Sequence, residues 1–109
     1  QDGFVAVQAE ARYAKAQILR IRGQFAASSE EVFALLDNYP SQTEWRYRAL
    51  LVLSRNYASL NDGFQARYTL DFVISEHPSD ELVQQAQALL AEFNAAQLPS
   101  NAPQTQDTQ

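Results

Sequence analysis

Apolar residues recur at intervals of three or four along nearly the whole chain, and strict alternation is absent. That period lines up side chains on helices rather than on strands. Phe4, Val7, Ala11, Ala14, Ile18 and Ile21 form one stripe spaced alternately by three and four, which predicts a first helix from about Phe4 to Arg22, ended by Gly23. A second runs from about Gln24 to Asn38 with Phe25, Val32, Leu35 and Leu36 inward, since Pro40 disfavours helical geometry at Tyr39. "SQTE" then reads as a capping box: Ser41 caps and Glu44, three residues on, reaches back. The third helix runs from there to about Ser59, with Trp45, Ala49, Leu50, Leu53, Tyr57 and Leu60 as its apolar positions.

"NDG" is turn chemistry and precedes a fourth helix from about Gly63 to Glu76. It carries two stripes, Ala66, Leu70, Val73 and Ile74 on one side and Phe64, Tyr68 and Phe72 on another, which predicts a helix sandwiched between two neighbours. After Pro78, Ser79 is a good cap and Asp80 and Glu81 suit the positive end of a helix dipole. The fifth helix reaches about Ala95 and turns Leu82, Ala86, Leu89, Leu90 and Phe93 inward. "LPSNAPQTQDTQ" beyond it is too polar to offset its ordering entropy, and a disordered tail is expected over residues 96–109.

Superposing Pro40 on Pro78 brings Ala16 onto Ser54, Leu19 onto Tyr57, Gly23 onto Asn61, Val32 onto Leu70 and Leu35 onto Val73. The chain therefore divides into a helical domain over residues 1–95, built of units at about 4–40 and 41–78 and a closing helix at about 79–95. Self-similarity at this period signals stacked helix hairpins, none of which covers its own apolar face alone.

Over roughly residues 9 to 93 the pattern resembles the tetratricopeptide repeat (TPR) family. Leu50, Leu53, Ser54 and Tyr57 match that family's large, large, small and aromatic positions, and Ala66, Leu70 and Pro78 its second-helix small, large and terminal-proline positions. In the first unit Gly23, Phe25, Val32 and Pro40 follow, whereas Arg12 and Lys15 stand where apolar residues are usual and Ser28 replaces an alanine. The 38-residue period exceeds the usual 34 by an insertion around "SQTEW". An elongated joint of this kind looks like the bacterial envelope branch: outer-membrane-assembly lipoproteins, Tol–Pal-associated periplasmic proteins and large Bacteroidetes repeat proteins. The resemblance implies an all-α, right-handed superhelix of helix hairpins acting as a non-enzymatic protein-interaction scaffold. It favours a periplasmic or outer-membrane-associated setting, while composition permits the cytoplasm equally.

Charge and composition narrow the chemistry. With 8 basic and 13 acidic residues among 109, the net charge of −5 offers no field for nucleic acid. There is no cysteine, hence no thiolate nucleophile or cysteine-ligated metal. No apolar run approaches the roughly 20 residues that span a bilayer, so direct membrane insertion is not expected. A start at Gln1 leaves a processed chain and a fragment of a longer one both open. His77, the one histidine, follows Glu76 and precedes Asp80 and Glu81, but a helix C-terminus is reason enough for a cation there. Gly63 belongs to no phosphate-binding glycine pattern, and Ser28 and Ser29 beside Glu30 and Glu31 have no base to activate them. No catalytic residue, metal or cofactor is expected.

Two surfaces are candidates for binding. In the family resembled, the first helix of each hairpin lines a concave groove, and the matching positions are Glu10, Tyr13, Gln17 and Arg20, then Arg48, Leu51 and Arg55, then Gln85, Ala88 and Glu92. Arg48 and Arg55 would orient the acidic groups of a protein or peptide segment, with Tyr13 and Leu51 as apolar contacts. The alternative is a solvated face with internal ion pairs to Glu10 and Glu92. The second surface is the edge formed by Phe4, Val7 and Ala11, which upstream repeats, a symmetric copy or a partner helix would cover. If that edge is the functional one, the domain is a terminal module of a longer array or a homo-oligomerisation unit.

Overall fold

Three positive-φ residues and two side-chain caps mark where the helices stop and start. The computed structural model describes residues 2–96 and 98. Among them are five helices and no strand: α1 (Asp2–Ile21), α2 (Phe25–Asn38), α3 (Thr43–Ser59), α4 (Gly63–Glu76) and α5 (Asp80–Ala95). Gly23 ends α1 at φ 77°. Its N–H donates to the Arg20 carbonyl and that of Gln24 to Leu19, the paired bonds of a Schellman turn, which a left-handed glycine closes without Cβ strain. Asn61, 38 residues on, holds the same left-handed region at φ 61° after α3. Asp62 caps α4 by accepting from the Gln65 N–H, and the Ser79 hydroxyl caps α5 by accepting from the Leu82 N–H.

The capping box does not form. The first intrahelical bond of α3 runs from the Arg46 N–H to the Gln42 carbonyl, so Ser41 lies one residue too early to cap, and Glu44 turns instead to Arg48.

The helices pack in chain order, each on the next, with α3 also against α1 and α5. Two apolar clusters result. Ala16, Val32, Leu35, Ala49, Val52 and Leu53 fill the space between α1, α2 and α3. Leu51, Ala66, Leu70, Val73, Leu82, Ala86, Leu89 and Phe93 fill that between α3, α4 and α5. Leu50 and Tyr57 touch both clusters, so α3 is the shared wall of one continuous interior. The 38-residue period is written in burial too: Ala16 and Ser54, Ser28 and Ala66, Val32 and Leu70, Leu35 and Val73 are all fully buried.

Three faces differ from expectation. α1 turns Ala9, Tyr13, Ala16 and Leu19 to the interior, and the whole stripe from Phe4 to Ile21, with Ala11 and Ala14 in it, is exposed. α4 meets α3 and α5 with the face carrying Ala66, Leu70 and Val73, while Tyr68 and Phe72 face solvent, Tyr68 beside Phe64 and Phe72 stacked on Tyr47. Leu60 is exposed at the turn after α3. The helix bounds and inner face of α5 are as expected, with Val83 buried in addition. Of the segment after α5, Leu98 packs on the second cluster; residues 97 and 99–109, and with them most of the expected disordered tail, lie outside the described residues.

A charged clamp joins α1 to α2. Glu31 accepts from Arg12 at 2.8 Å and faces Lys15 at 3.2 Å. Arg12 and Lys15, the residues out of place for an apolar pattern, are thus satisfied by an acid on the neighbouring helix. Burial alone would push the Glu31 carboxyl upward, but hydrogen bonds from Arg12 and Lys15 outweigh it and leave the group below the usual carboxylate range. A depressed carboxylate stabilises the fold above its unfolded pKa and loses that contribution as pH falls through the folded value. Glu31→Gln should therefore cost about 1–2 kcal/mol at neutral pH, by urea denaturation, with the gap to wild type closing once pH drops below about 4. A gap that is constant with pH would rule out the ionised clamp.

Candidate functional site

The first, third and fifth helices share one side of the molecule. α3 lies between α1 and α5, so the strip of side chains each turns to that side converges on a groove of about 400 Å³. Tyr13, Gln17, Arg20 and Ile21 come from α1, Arg48, Leu51, Val52 and Arg55 from α3, and Gln85, Ala88, Leu89 and Glu92 from α5. Every groove position expected from the sequence is gathered here except Glu10, which lines no part of it. Ile21, Val52 and Leu89 were not foreseen. Leu51 is nearly buried and forms floor rather than a projecting contact.

The three arginines are not equivalent. Arg48 binds Glu44 at 2.7 Å, lies 3.7 Å from Glu81 and rests against the Trp45 ring, so its charge is largely answered within the chain. The hydrogen bond to Glu44 and that group's charge, then the charge of Glu81, hold its pKa above the ordinary value against burial. Arg55 has a looser partner in Glu92 at 3.8 Å, and both side chains are about half exposed. Arg20 has no carboxylate within ion-pair distance among the described residues. Burial, then the positive charge of Arg55, pushes its pKa down, against the pull of Glu92. Arg20 and Arg55 thus share one acid. A local excess of positive charge sits beside an apolar floor of Leu51, Val52 and Leu89 on a protein of net charge −5.

Arg20 is aimed by neutral partners. It donates to Asn56 Oδ1 at 3.2 Å and to the Ser59 hydroxyl at 3.0 Å, and its guanidinium lies over the Phe25 ring. Asn56 is fully buried and its Nδ2 donates to Ser28 Oγ at 2.9 Å and Ser29 Oγ at 3.1 Å. Ser28 in turn donates to the Ala16 carbonyl at 2.6 Å. The serines singled out in the sequence are therefore structural, and their place beside acids is incidental. A second hollow of about 210 Å³ lies on the other side of the same charges, with Arg20, Arg55 and Glu92 on its lining beside Leu98.

His77 adopts φ 49° at the C-terminal cap of α4 and pairs with Asp80 at 3.2 Å, both side chains well exposed and neither on the groove. Among the described residues no group of three His, Asp or Glu stands close enough to hold a metal ion, and no helix is long and apolar enough to cross a membrane. Phe4, Val7 and Ala11 stand on the outer side of α1, away from the core clusters. Comparison with protein-family models, curated proteins and solved structures gives no match.

Removing the Asn56 amide takes a donor from the buried Ser28 and Ser29 hydroxyls and an acceptor from Arg20. Asn56→Ala should lower the unfolding free energy by about 2–3 kcal/mol in urea, against about 0.5 kcal/mol or less for exposed Ser59→Ala. Equal small losses for the two would mean that the network contributes little.

Proposed function

We propose that the chain is a non-catalytic interaction module of the TPR type, which holds an extended or helical peptide segment in the groove of α1, α3 and α5. The observation that carries this reading is the pairing of an apolar floor with an under-neutralised cation. Arg20 is fixed by Asn56 and Ser59 but meets no acid within ion-pair distance among the described residues, and Arg55 shares Glu92 with it. A guanidinium held in place by neutral partners keeps its remaining N–H donors and its charge for a carboxylate, and a low-dielectric floor strengthens that pairing. The ligand this groove suits is a segment with an acidic side chain or terminal carboxylate next to an apolar residue. The apolar residue would rest on Leu51 and Leu89. The sequence resemblance, the 38-residue period in burial and the convergence of alternate helices on one face support a superhelical stack of hairpins, the architecture in which such grooves form. By the same resemblance, its setting is an assembly in the bacterial envelope.

Arg48, first expected to orient the ligand together with Arg55, passes that role to Arg20 because Glu44 and Glu81 already occupy it. Selection from a random peptide display library tests the reading. Wild type should enrich peptides bearing Asp, Glu or a free C-terminus beside a large apolar residue. Arg55→Glu, half exposed and outside the buried network, should bind those peptides at least about tenfold more weakly with an unchanged circular dichroism melt. Enriched peptides without acidic groups, or equal binding by the variant, would sink the proposal.

A further inference from the structure

α1 has two apolar faces. One is used: Ala9, Tyr13 and Ala16 turn to the interior. On the opposite side of the helix Phe4, Val7, Ile18 and Ile21 are 68, 63, 49 and 84% exposed, with Ala11 and Ala14 exposed between them. At 1.5 Å per residue this stripe is about 27 Å long, and its unbroken three-four spacing is that of a coiled-coil seam. Exposed apolar side chains scattered singly need no cover, but a continuous seam of this length does.

The internal repeat shows what such positions do. One period later, Val7, Ala11, Ala14, Ile18 and Ile21 correspond to Trp45, Ala49, Val52, Asn56 and Ser59. Those are the residues by which α3 docks on the first unit: Trp45 lies 5.5 Å from Tyr13, Ala49 and Val52 join its cluster, and Asn56 and Ser59 bond to Ser28, Ser29 and Arg20. The α1 stripe is therefore placed as a helix-docking face, with one difference. Where α3 carries polar Asn56 and Ser59, α1 carries Ile18 and Ile21. It lacks the groups that key into a polar seat like that of the first unit, and it asks for an apolar partner instead.

The far end of the same molecule does not supply one. The seat on the second unit is taken by α5, whose outward side presents exposed Gln84 and Gln87 with the small side chains of Ala88, Ala91 and Ala95. That small and polar face offers no large side chain to the stripe, and the aromatic face of Tyr68 and Phe72 on α4 lacks its three-four spacing; a second copy carries a seam of the same length and spacing in α1 itself. Flanking charges set the direction. Glu10 stands on one shoulder of the stripe and Lys15 on the other, both exposed, and Glu10 forms no ion pair among the described residues. In a parallel pair these shoulders face each other five residues apart, so Glu10 of each copy meets Lys15 of the other, twice by symmetry. An antiparallel pair would set like shoulders together and leave both charges without that partner. Lys15 also faces Glu31, but 63% of its side chain is exposed and its ammonium can serve both acids. Because the stripe is opposite the core face, the cores of two copies joined this way lie on opposite sides of the seam.

We propose that α1 pairs in parallel with α1 of a second copy through Phe4, Val7, Ala11, Ala14, Ile18 and Ile21, with Glu10 and Lys15 fixing the direction. The pairing does not rest on the groove reading. One helix seam falls short of the roughly 800 Å² per partner of a standard interface, so the dimer is weak.

Sedimentation equilibrium of the chain should show a monomer–dimer equilibrium with Kd of about 10–100 µM. Val7→Glu/Ile18→Glu, altering only exposed positions, should be monomeric at every concentration with an unchanged melt. Glu10→Lys should weaken dimerisation, and Glu10→Lys/Lys15→Glu should restore it. The chain has no cysteine, so Val7→Cys alone should form a disulfide dimer under mild oxidation. A wild type monomeric up to about 1 mM would overturn the proposal and hand the stripe to a partner helix or to an upstream segment. So would a dimer that survives Val7→Glu/Ile18→Glu, or Val7→Cys that crosslinks to Ile18→Cys and not to itself.

Discussion

The Asn56 side chain sits where α1, α2 and α3 meet, donating to two serines of α2 and accepting from Arg20 of α1. Ser28 completes the junction by donating to the Ala16 carbonyl. Apolar contacts between helices tolerate small slips, whereas a buried amide is satisfied in one register only, because an unmade bond there carries its full desolvation cost. The first cluster, Ala16, Val32, Leu35, Ala49, Val52 and Leu53, surrounds this junction between the same three helices, and its packing follows from that register. The groove follows from it too. Arg20 is at once a donor to the buried amide and a member of the groove lining, so the interior polar network sets the position of a surface charge.

That junction also orders the electrostatics. Arginines on the inner face are answered to different degrees: Arg48 by two carboxylates, Arg55 by one at 3.8 Å, Arg20 by neutral oxygens. A strip of three arginines read from spacing alone suggests a uniform basic surface. The structure grades it along the groove, neutral near Glu44 and Glu81 and positive near Arg20. Acidity overall suppresses unspecific attraction of anions, so a carboxylate is favoured only where that local excess and the apolar floor coincide.

How legible this was depended on whether a signal was local. Ser79 capping α5, the turn before Gly63 and the register of Ala66, Leu70 and Pro78 are all decided within a few residues, and the helices there stand as the pattern implies. "SQTE" failed because α3 starts one residue later than the motif requires, a shift that no local rule reveals. For α1 the period was right and the face was wrong. The core-facing residues are small or mixed, Ala9, Tyr13 and Ala16 flanked by the stem of Arg12, and they are outweighed in any hydrophobic count by Phe4, Val7, Ile18 and Ile21. The same holds for Phe64, Tyr68 and Phe72 on α4. Groove positions came out together because the resemblance assigned one face of the first helix of each hairpin to a groove, whereas the Asn56 network joins residues 27 to 36 apart in sequence and leaves no periodic trace.

The faces of α1 connect these observations. Its inner side is keyed by Asn56, one flank contributes Tyr13, Gln17 and Arg20 to the groove, and its outer side is the apolar seam. Ile21 belongs to both groove and seam, 84% exposed where they meet. A helix buried on one face alone is free to tilt by small amounts about that face; one held on two sides is not. A partner on the seam would stiffen the wall that carries Arg20 and cover Ile21 at the groove rim, linking the outer face to the inner one through one helix.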